Sequence, residues 1–245
     1  MPALEGYCMK LSAPIYQLKR QAKRLAKDES IALNQALDRL ATAEGFASWS
    51  LLAQRAAEDS PAKTLFPQLL PGDLLLLGAR PRQGKTMLAL ELIAKTLERG
   101  NHAAFFTLDF TKPQLTQRLA LVDESLVTPS DQLLLDVSDE ICADYIVAQL
   151  QDVAPATLVV IDYLQALDRK RSNPDLSSQV KALRAFAKQR AITIVCIAQI
   201  RRSFDAIERP LPNSDDLHLP NPLDLGLFTK TCFLNDSSLR IDTPH

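Results

Sequence analysis

From Leu11 to about Arg55, apolar residues recur every three or four positions: Ile15, Leu18, Ala22 and Leu25, then Leu33, Leu37 and Leu40. That spacing draws one apolar stripe along a helix and predicts a small bundle of two or three helices. Pro14 suits a first helical turn, Gly45 the stop of the second helix, and Ser48 the cap of a third that carries Trp49, Leu51 and Leu52. Residues 58–63, with Ser60 and Pro61, have the composition of a linker. Beyond Pro71-Gly72-Asp73 the period changes. Short apolar runs at 74–77, 103–108, 133–137, 158–162 and 192–197 alternate with amphipathic stretches at about 86–99, 112–121, 139–151 and 177–189. This alternation predicts a parallel sheet with crossover helices, and strands buried on both faces explain why LLLL, LVVI and ITIVCI are almost unbroken apolar. Prolines 210, 212, 220 and 222 predict a long loop before a last strand near 231–234. The expected class is α/β, a mostly parallel twisted sheet over residues 61–245 with a small all-α module over residues 1–60.

Composition narrows this picture. A chain of 245 residues, 47% hydrophobic, can bury one sizeable core with a small module to spare. No basic segment followed by an apolar run and a small-residue cleavage site opens the chain, and no apolar stretch approaches the roughly 20 residues that span a bilayer. A cytoplasmic protein without a membrane partner is expected. Cys8, Cys142, Cys196 and Cys232 are scattered, with no CxxC pair, and read as reduced, mostly buried thiols. The formal net charge of −1 gives no whole-chain attraction to nucleic acid, so any such binding depends on local patches.

Chemistry concentrates after the first apolar run of the second region. In LLLLGARPRQGKT a strand leads through a loop into a helix, the setting of a Walker A phosphate loop. Residues Gly78, Ala79, Arg80, Pro81, Arg82, Gln83 and Gly84 would wrap ATP phosphates, and the helix opening near Lys85 would aim N–H groups and its positive end at them. Lys85 would reach the β and γ phosphates and Thr86 would offer its hydroxyl to magnesium. The usual first glycine is Ala79 here, so the turn is expected to be made by Gly78 and Ala79 together. In TLVVIDYLQAL a strand ends in Asp162, which places a carboxylate at the sheet edge where open α/β folds bind ligands, able to hold magnesium through water. The strand after the phosphate-loop helix ends in FFTLDF, so that Asp109 emerges on the same edge as the candidate base for the attacking water; an aspartate there equally serves as a turn residue before Thr111 and Pro113. Gln199 ends ITIVCIAQ and can sense a γ phosphate, or simply start a solvated loop.

Five segments, GARPRQGKT, TLDF, VVIDYLQAL, LRAFAKQRAITIVCIAQIRRS and RPLPNSDDL, resemble in order and spacing the C-terminal ATPase domain of DnaB-type replicative helicases, over about residues 71–217. The resemblance implies a RecA-like P-loop fold, ATP and magnesium, ring-shaped oligomers and single-stranded DNA in a central channel. It also implies nucleotide roles for Lys85, Thr86, Asp162, Asp109 and Gln199. The family usually has glutamate where Asp109 stands, which implies slower hydrolysis. Those helicases complete each site with an arginine and a lysine from the neighbouring subunit, carried on a strand and loop near the C-terminus; the ending TKTCFLNDSSLRIDTPH has no matching Lys-x-Arg pair, and Arg240 and Lys230 are the remaining substitutes. The helicase collar domain is replaced by the helical module, whose ending GFASWSLL is similar to small bacterial proteins.

Three basic stretches are candidate nucleic-acid contacts. Lys19, Arg20, Lys23, Arg24 and Lys27 share the first helix without an acidic residue among them, as a phosphate-binding or a merely solvated face. Arg169, Lys170 and Arg171, and likewise Arg201 and Arg202, occupy loops that line the DNA channel in RecA-like folds. The leading expectation is a DNA-dependent ATPase; a nucleotide-gated regulator with little turnover, and a clock-type or recombinase-type relative, are the alternatives.

Overall fold

A computed structural model describes residues 11–127, 130–207, 209–219, 221–235 and 238–243. The chain forms two compact units, Met1–Ser60 and Pro61–His245. In the first, α1 (Ile15–Asp28), α2 (Leu33–Ala43) and α3 (Trp49–Glu58) enclose a small core of Leu18, Ala41 and Leu52, with Ile15, Phe46 and Trp49 packed against it. Gly45, at φ +87°, takes the left-handed conformation that lets the chain leave α2, and the Phe46 N–H donates back to the Ala41 carbonyl at 2.8 Å. The Ser48 hydroxyl accepts from the Leu51 N–H at the start of α3, while the Trp49 N–H donates to the Asp38 carboxylate at 2.8 Å, so the α2–α3 turn is fixed from both sides.

The second unit begins with α4 (Pro61–Leu65); the expected linker at 58–63 is therefore helical from Pro61, which sits at a position where its missing N–H costs nothing. A seven-stranded sheet follows, built from β1 (Leu74–Ala79), β2 (Ala103–Thr107), β3 (Leu133–Asp136), β4 (Leu158–Asp162), β5 (Thr193–Gln199), β6 (Lys230–Asn235) and β7 (Ser238–Asp242) in the order β3-β2-β4-β5-β1-β6-β7. Every neighbour pair is parallel except the β6–β7 hairpin. The helices α5 (Lys85–Glu98), α6 (Lys112–Val122), α7 (Ala143–Gln149) and α8 (Leu176–Arg190) are the crossovers. Strands β1, β2 and β4 are buried along their whole length, as their unbroken apolar sequences predict.

Three elements differ from the periodicity. Strand β3 is only half-buried because it lies at the sheet edge with β2 as its sole neighbour. Helix α7 starts at Ala143 rather than 139, because the Asp136 carboxylate accepts from the Ser138 N–H at 2.8 Å and the Ser138 hydroxyl from the Glu140 N–H at 3.2 Å, holding that stretch in turns. Strand β7, too polar to announce itself, exists by pairing with β6. The N-terminal end of β1 is bolted to β6: the buried Asp73 carboxylate accepts from the Leu70 N–H at 2.8 Å and the Thr229 hydroxyl at 2.9 Å, and pairs with the Lys230 ammonium. Cys142, Cys196 and Cys232 are free thiols; the last two are buried on β5 and β6, and burial pushes each up to about 12. Cys8 and Pro220 lie outside the described residues. Among the described residues no helix is long and apolar enough to cross a membrane.

Candidate functional site

Strand β5 lies between β1 and β4, and the register pairs Ala79 with Gln199, Asp162 with Ile197 and Thr107 with Asp162. The C-terminal ends of four strands thus line up along one edge, and the 78–86 loop, Gln199, Asp162 and Asp109 all emerge there. The loop differs in detail from its sequence reading. Gly78 and Ala79 do not make the turn; both belong to β1, and the turn runs through Arg80–Gly84, with the Gln83 N–H donating to the Arg80 carbonyl at 3.2 Å. Arg82 takes φ +70° and Gly84 φ +85°, so the left-handed steps fall at the far end of the loop, where Gly84 caps α5. What makes Gly78 a glycine is a close approach: a Cβ there would sit 3.0 Å from ring carbons of Phe233 on β6.

At the start of α5 the Thr86 hydroxyl donates to the Asp162 carboxylate at 2.9 Å. Asp162 is 1% exposed, and burial pushes its carboxyl up to about 6 against the stabilising pull of the Thr86 hydroxyl and the Lys85 ammonium. Lys85 is half-buried; desolvation lowers it, opposed by the charges of Asp162 and Asp109. Asp109 is exposed at the surface, yet desolvation by the protein beneath raises its carboxyl against the attraction of Lys85. The four groups are electrostatically one set, an ammonium flanked by two carboxylates with a hydroxyl on one of them. Among the described residues no three His, Cys, Asp or Glu side chains converge on a metal position. A hydroxyl and a single carboxylate suit a magnesium ion that keeps several waters and draws its remaining oxygens from phosphates, rather than an all-protein cage.

Several neighbours were not legible in the motifs. The Thr107 hydroxyl accepts from the Asp109 N–H at 3.0 Å and fixes the turn that aims Asp109; a threonine two residues before an aspartate was the available signal. Arg118 on α6 adds a favourable charge for Asp162. The Arg80 guanidinium donates to Asp205 through Nε at 2.8 Å and Nη2 at 2.6 Å, and to the Ile200 carbonyl at 3.0 Å, tying the loop after β1 to the segment after β5. Gln199 is half-buried at the end of β5, and its carbonyl accepts from the His218 N–H at 2.7 Å.

The expected nucleic-acid loops fare unevenly. Arg169, Arg171, Arg201 and Arg202 are exposed, whereas Lys170 is paired with Glu140 at 2.6 Å. The two C-terminal cations are committed inside the chain: Lys230 to Asp73, at the edge of the sheet opposite the phosphate loop, and Arg240 to Asp242 at 2.9 Å and the Pro212 carbonyl at 3.2 Å, over the Phe233 ring. The Lys230 side chain is nearly buried in this contact, at 13% exposure, whereas that of Arg240 keeps 41%.

A phosphate loop after β1, a carboxylate ending β4 and a polar residue ending the strand between them define a RecA-like P-loop ATPase domain of the DnaB type. The chain belongs to the AAA domain family, whose model matches residues 41–203. It is 25% identical over 182 residues to the replicative DNA helicase DnaB of Mycoplasma genitalium, covering 60% of this chain and 39% of that protein. It is 26% identical over 194 residues to the DNA repair protein RadA of Escherichia coli, covering 73% and 40%. The chain therefore spans about two fifths of the length of the curated relatives it matches. Among solved structures, a DnaB-like replicative helicase, solved in a study of its interactions with primase, aligns with a TM-score of 0.55 at 15% identity, over 89% of this chain and 65% of that one.

Proposed function

We propose that the chain binds ATP with magnesium on the 78–86 loop, hydrolyses it slowly, and couples that cycle to single-stranded DNA in the manner of a minimal replicative helicase. The observation that carries this reading is the 2.9 Å contact between the Thr86 hydroxyl and the Asp162 carboxylate, beside the Lys85 ammonium. Backbone N–H groups at the start of α5 meet the phosphate oxygens, and the burial penalty on the charge of Lys85 is offset when a polyanion arrives. Thr86 and, through water, Asp162 would hold magnesium, which would supply positive charge against that of the phosphates. Asp109 orients the attacking water and takes its proton; an aspartate reaches one methylene less far than a glutamate, which is why turnover is slow. Gln199 donates to the γ phosphate. Arg169, Arg171, Arg201 and Arg202 are the contacts to DNA.

A second reading, a nucleotide-gated regulator with little turnover, is favoured by one observation: Lys230 and Arg240 are consumed by contacts inside the chain. Arginines supplied in trans contribute about 10³–10⁵ in rate in related phosphoryl-transfer systems, so their unavailability weighs against fast hydrolysis. Steady-state ATP hydrolysis with and without single-stranded DNA, beside calorimetric ATP binding, separates the two. The helicase-like reading expects DNA to stimulate turnover several-fold; ATP binding without turnover under either condition selects the regulator. Lys85→Ala is expected to abolish binding, and an unchanged isotherm would remove the phosphate-site assignment.

A further inference from the structure

We propose that α1 is a binding surface for single-stranded nucleic acid, with Arg20, Lys23, Arg24 and Lys27 meeting phosphates and Tyr16 offering a ring to a base. The surface needs no nucleotide and no part of the Lys85 site. It also lies outside the residues 41–203 that define the family match.

At 3.6 residues per turn, Tyr16, Lys19, Arg20, Lys23, Arg24 and Lys27 fall within one arc of about 140°, and the axial rise from Lys19 to Lys27 is about 12 Å. The opposite arc carries Leu18 and Ala22, which are 1% and 0% exposed. Arg20, Lys23, Arg24 and Lys27 are exposed, and among the described residues none of the four has an ion-pair partner. No aspartate or glutamate occurs from Leu11 to Lys27. An ordinary solvated helix face mixes signs at i,i+3 and i,i+4, as α3 of the same unit does, where Arg55 pairs with Glu58 at 3.5 Å and Asp59 at 3.2 Å. Helix α1 instead sets like charges at 20/23, 20/24, 23/27 and 24/27, repulsions that a polyanion would relieve.

The chemistry of the partner follows from what else the face carries. A membrane surface would need an apolar flank to insert, and the apolar side of α1 is taken up by the core of its own unit. The half-buried aromatic at Tyr16, in line with Lys23 and Lys27, is the combination that holds unpaired strands: cations along the backbone and a ring on which an unstacked base can lie.

The test is fluorescence anisotropy of a labelled single-stranded oligonucleotide with the full chain, without nucleotide, across a salt series. The variant Arg20→Gln, Lys23→Gln, Arg24→Gln, Lys27→Gln is expected to flatten the plot of log affinity against log salt by about 3, from roughly 0.7 per phosphate contact for single strands. Its ATP binding should be unchanged. Tyr16→Ala should weaken binding severalfold at an unchanged slope. The matched variant that exchanges Arg for Lys and Lys for Arg at the four positions should keep the wild-type slope, which excludes misfolding as the cause. An unchanged slope in the glutamine variant overturns the proposal. So does preference for duplex with no effect of Tyr16→Ala, or equal binding to phosphatidylserine vesicles or to polyglutamate at the same salt. Failure of DNA-stimulated turnover alone, with the α1 slope intact, would strike the helicase-like reading and leave this surface standing.

Discussion

Asp162 holds a negative charge where the protein gives it little solvent, and its carboxyl stands at about 6 against an ordinary 3.8. A folded-state value above the unfolded one means that the ionised form costs stability at pH above about 6, and that the cost fades as pH falls from there toward 4. At pH 8 the penalty is on the order of 3 kcal/mol. Asp162→Asn keeps an oxygen for the Thr86 hydroxyl and removes the charge. It should therefore raise the free energy of unfolding of the nucleotide-free protein at pH 8, by up to that amount, with a smaller gain at pH 5, while magnesium-dependent nucleotide binding is lost. Denaturant titrations at the two pH values check this; a variant less stable than wild type at pH 8 would show that the carboxylate is a structural asset. In the wild type, magnesium-nucleotide affinity should fall as pH drops through about 6, because protons compete for the same oxygens.

Between elements, the most consequential joint is Asp73 with Thr229 and Lys230. Both charged side chains are nearly buried, at 10% and 13% exposure, and they lock the start of β1 to the start of β6. Asp73→Ala would strand an ammonium, for which about 3–5 kcal/mol is the usual loss; urea unfolding reads it, and a change under about 0.5 kcal/mol would mean that water replaces the carboxylate without loss. The alternation of apolar runs and helices located the sheet from β1 to β6 within a few residues, because strands such as Leu158–Asp162 are buried on both faces and nothing local competes with burial. The meeting of the 78–86 loop, Thr86 and Asp162 was legible because β1 and β4 are apolar runs that end at one sheet edge, on either side of β5. Contacts across long separations were not: Phe233 fills the space above Gly78, Asp205 claims Arg80, and Asp73 claims Lys230, each set by packing rather than by neighbours in sequence. Local polar bonding hid the true start of α7, and the β7 strand depends on its partner alone.

At the scale of the whole molecule, charge is unevenly held. Five of the eight lysines and arginines of residues 1–60 lie on α1, while several cations of the larger unit sit on carboxylates: Arg80 with Asp205, Lys170 with Glu140, Arg209 with Asp216. Two thiols add a different property. Cys196 stands beside Leu76 on one flank of β1 and Cys232 beside Leu77 on the other, both buried and with values near 12. At neutral pH neither carries the thiolate that an alkylating reagent attacks, so modification of either waits for the sheet to come apart around its central strand. Of the three thiols among the described residues, Cys142, half-buried on the way into α7, should react first, and the two sheet thiols much later and at one shared rate, as peptide mapping of a timed labelling would record. A Cys232 that kept pace with Cys142 would show β6 detaching by itself. The protein thus carries, without any added probe, a chemical timer for how long its nucleotide-bearing sheet stays shut, and bound ATP should slow that timer in proportion to how tightly the loop after β1 is held.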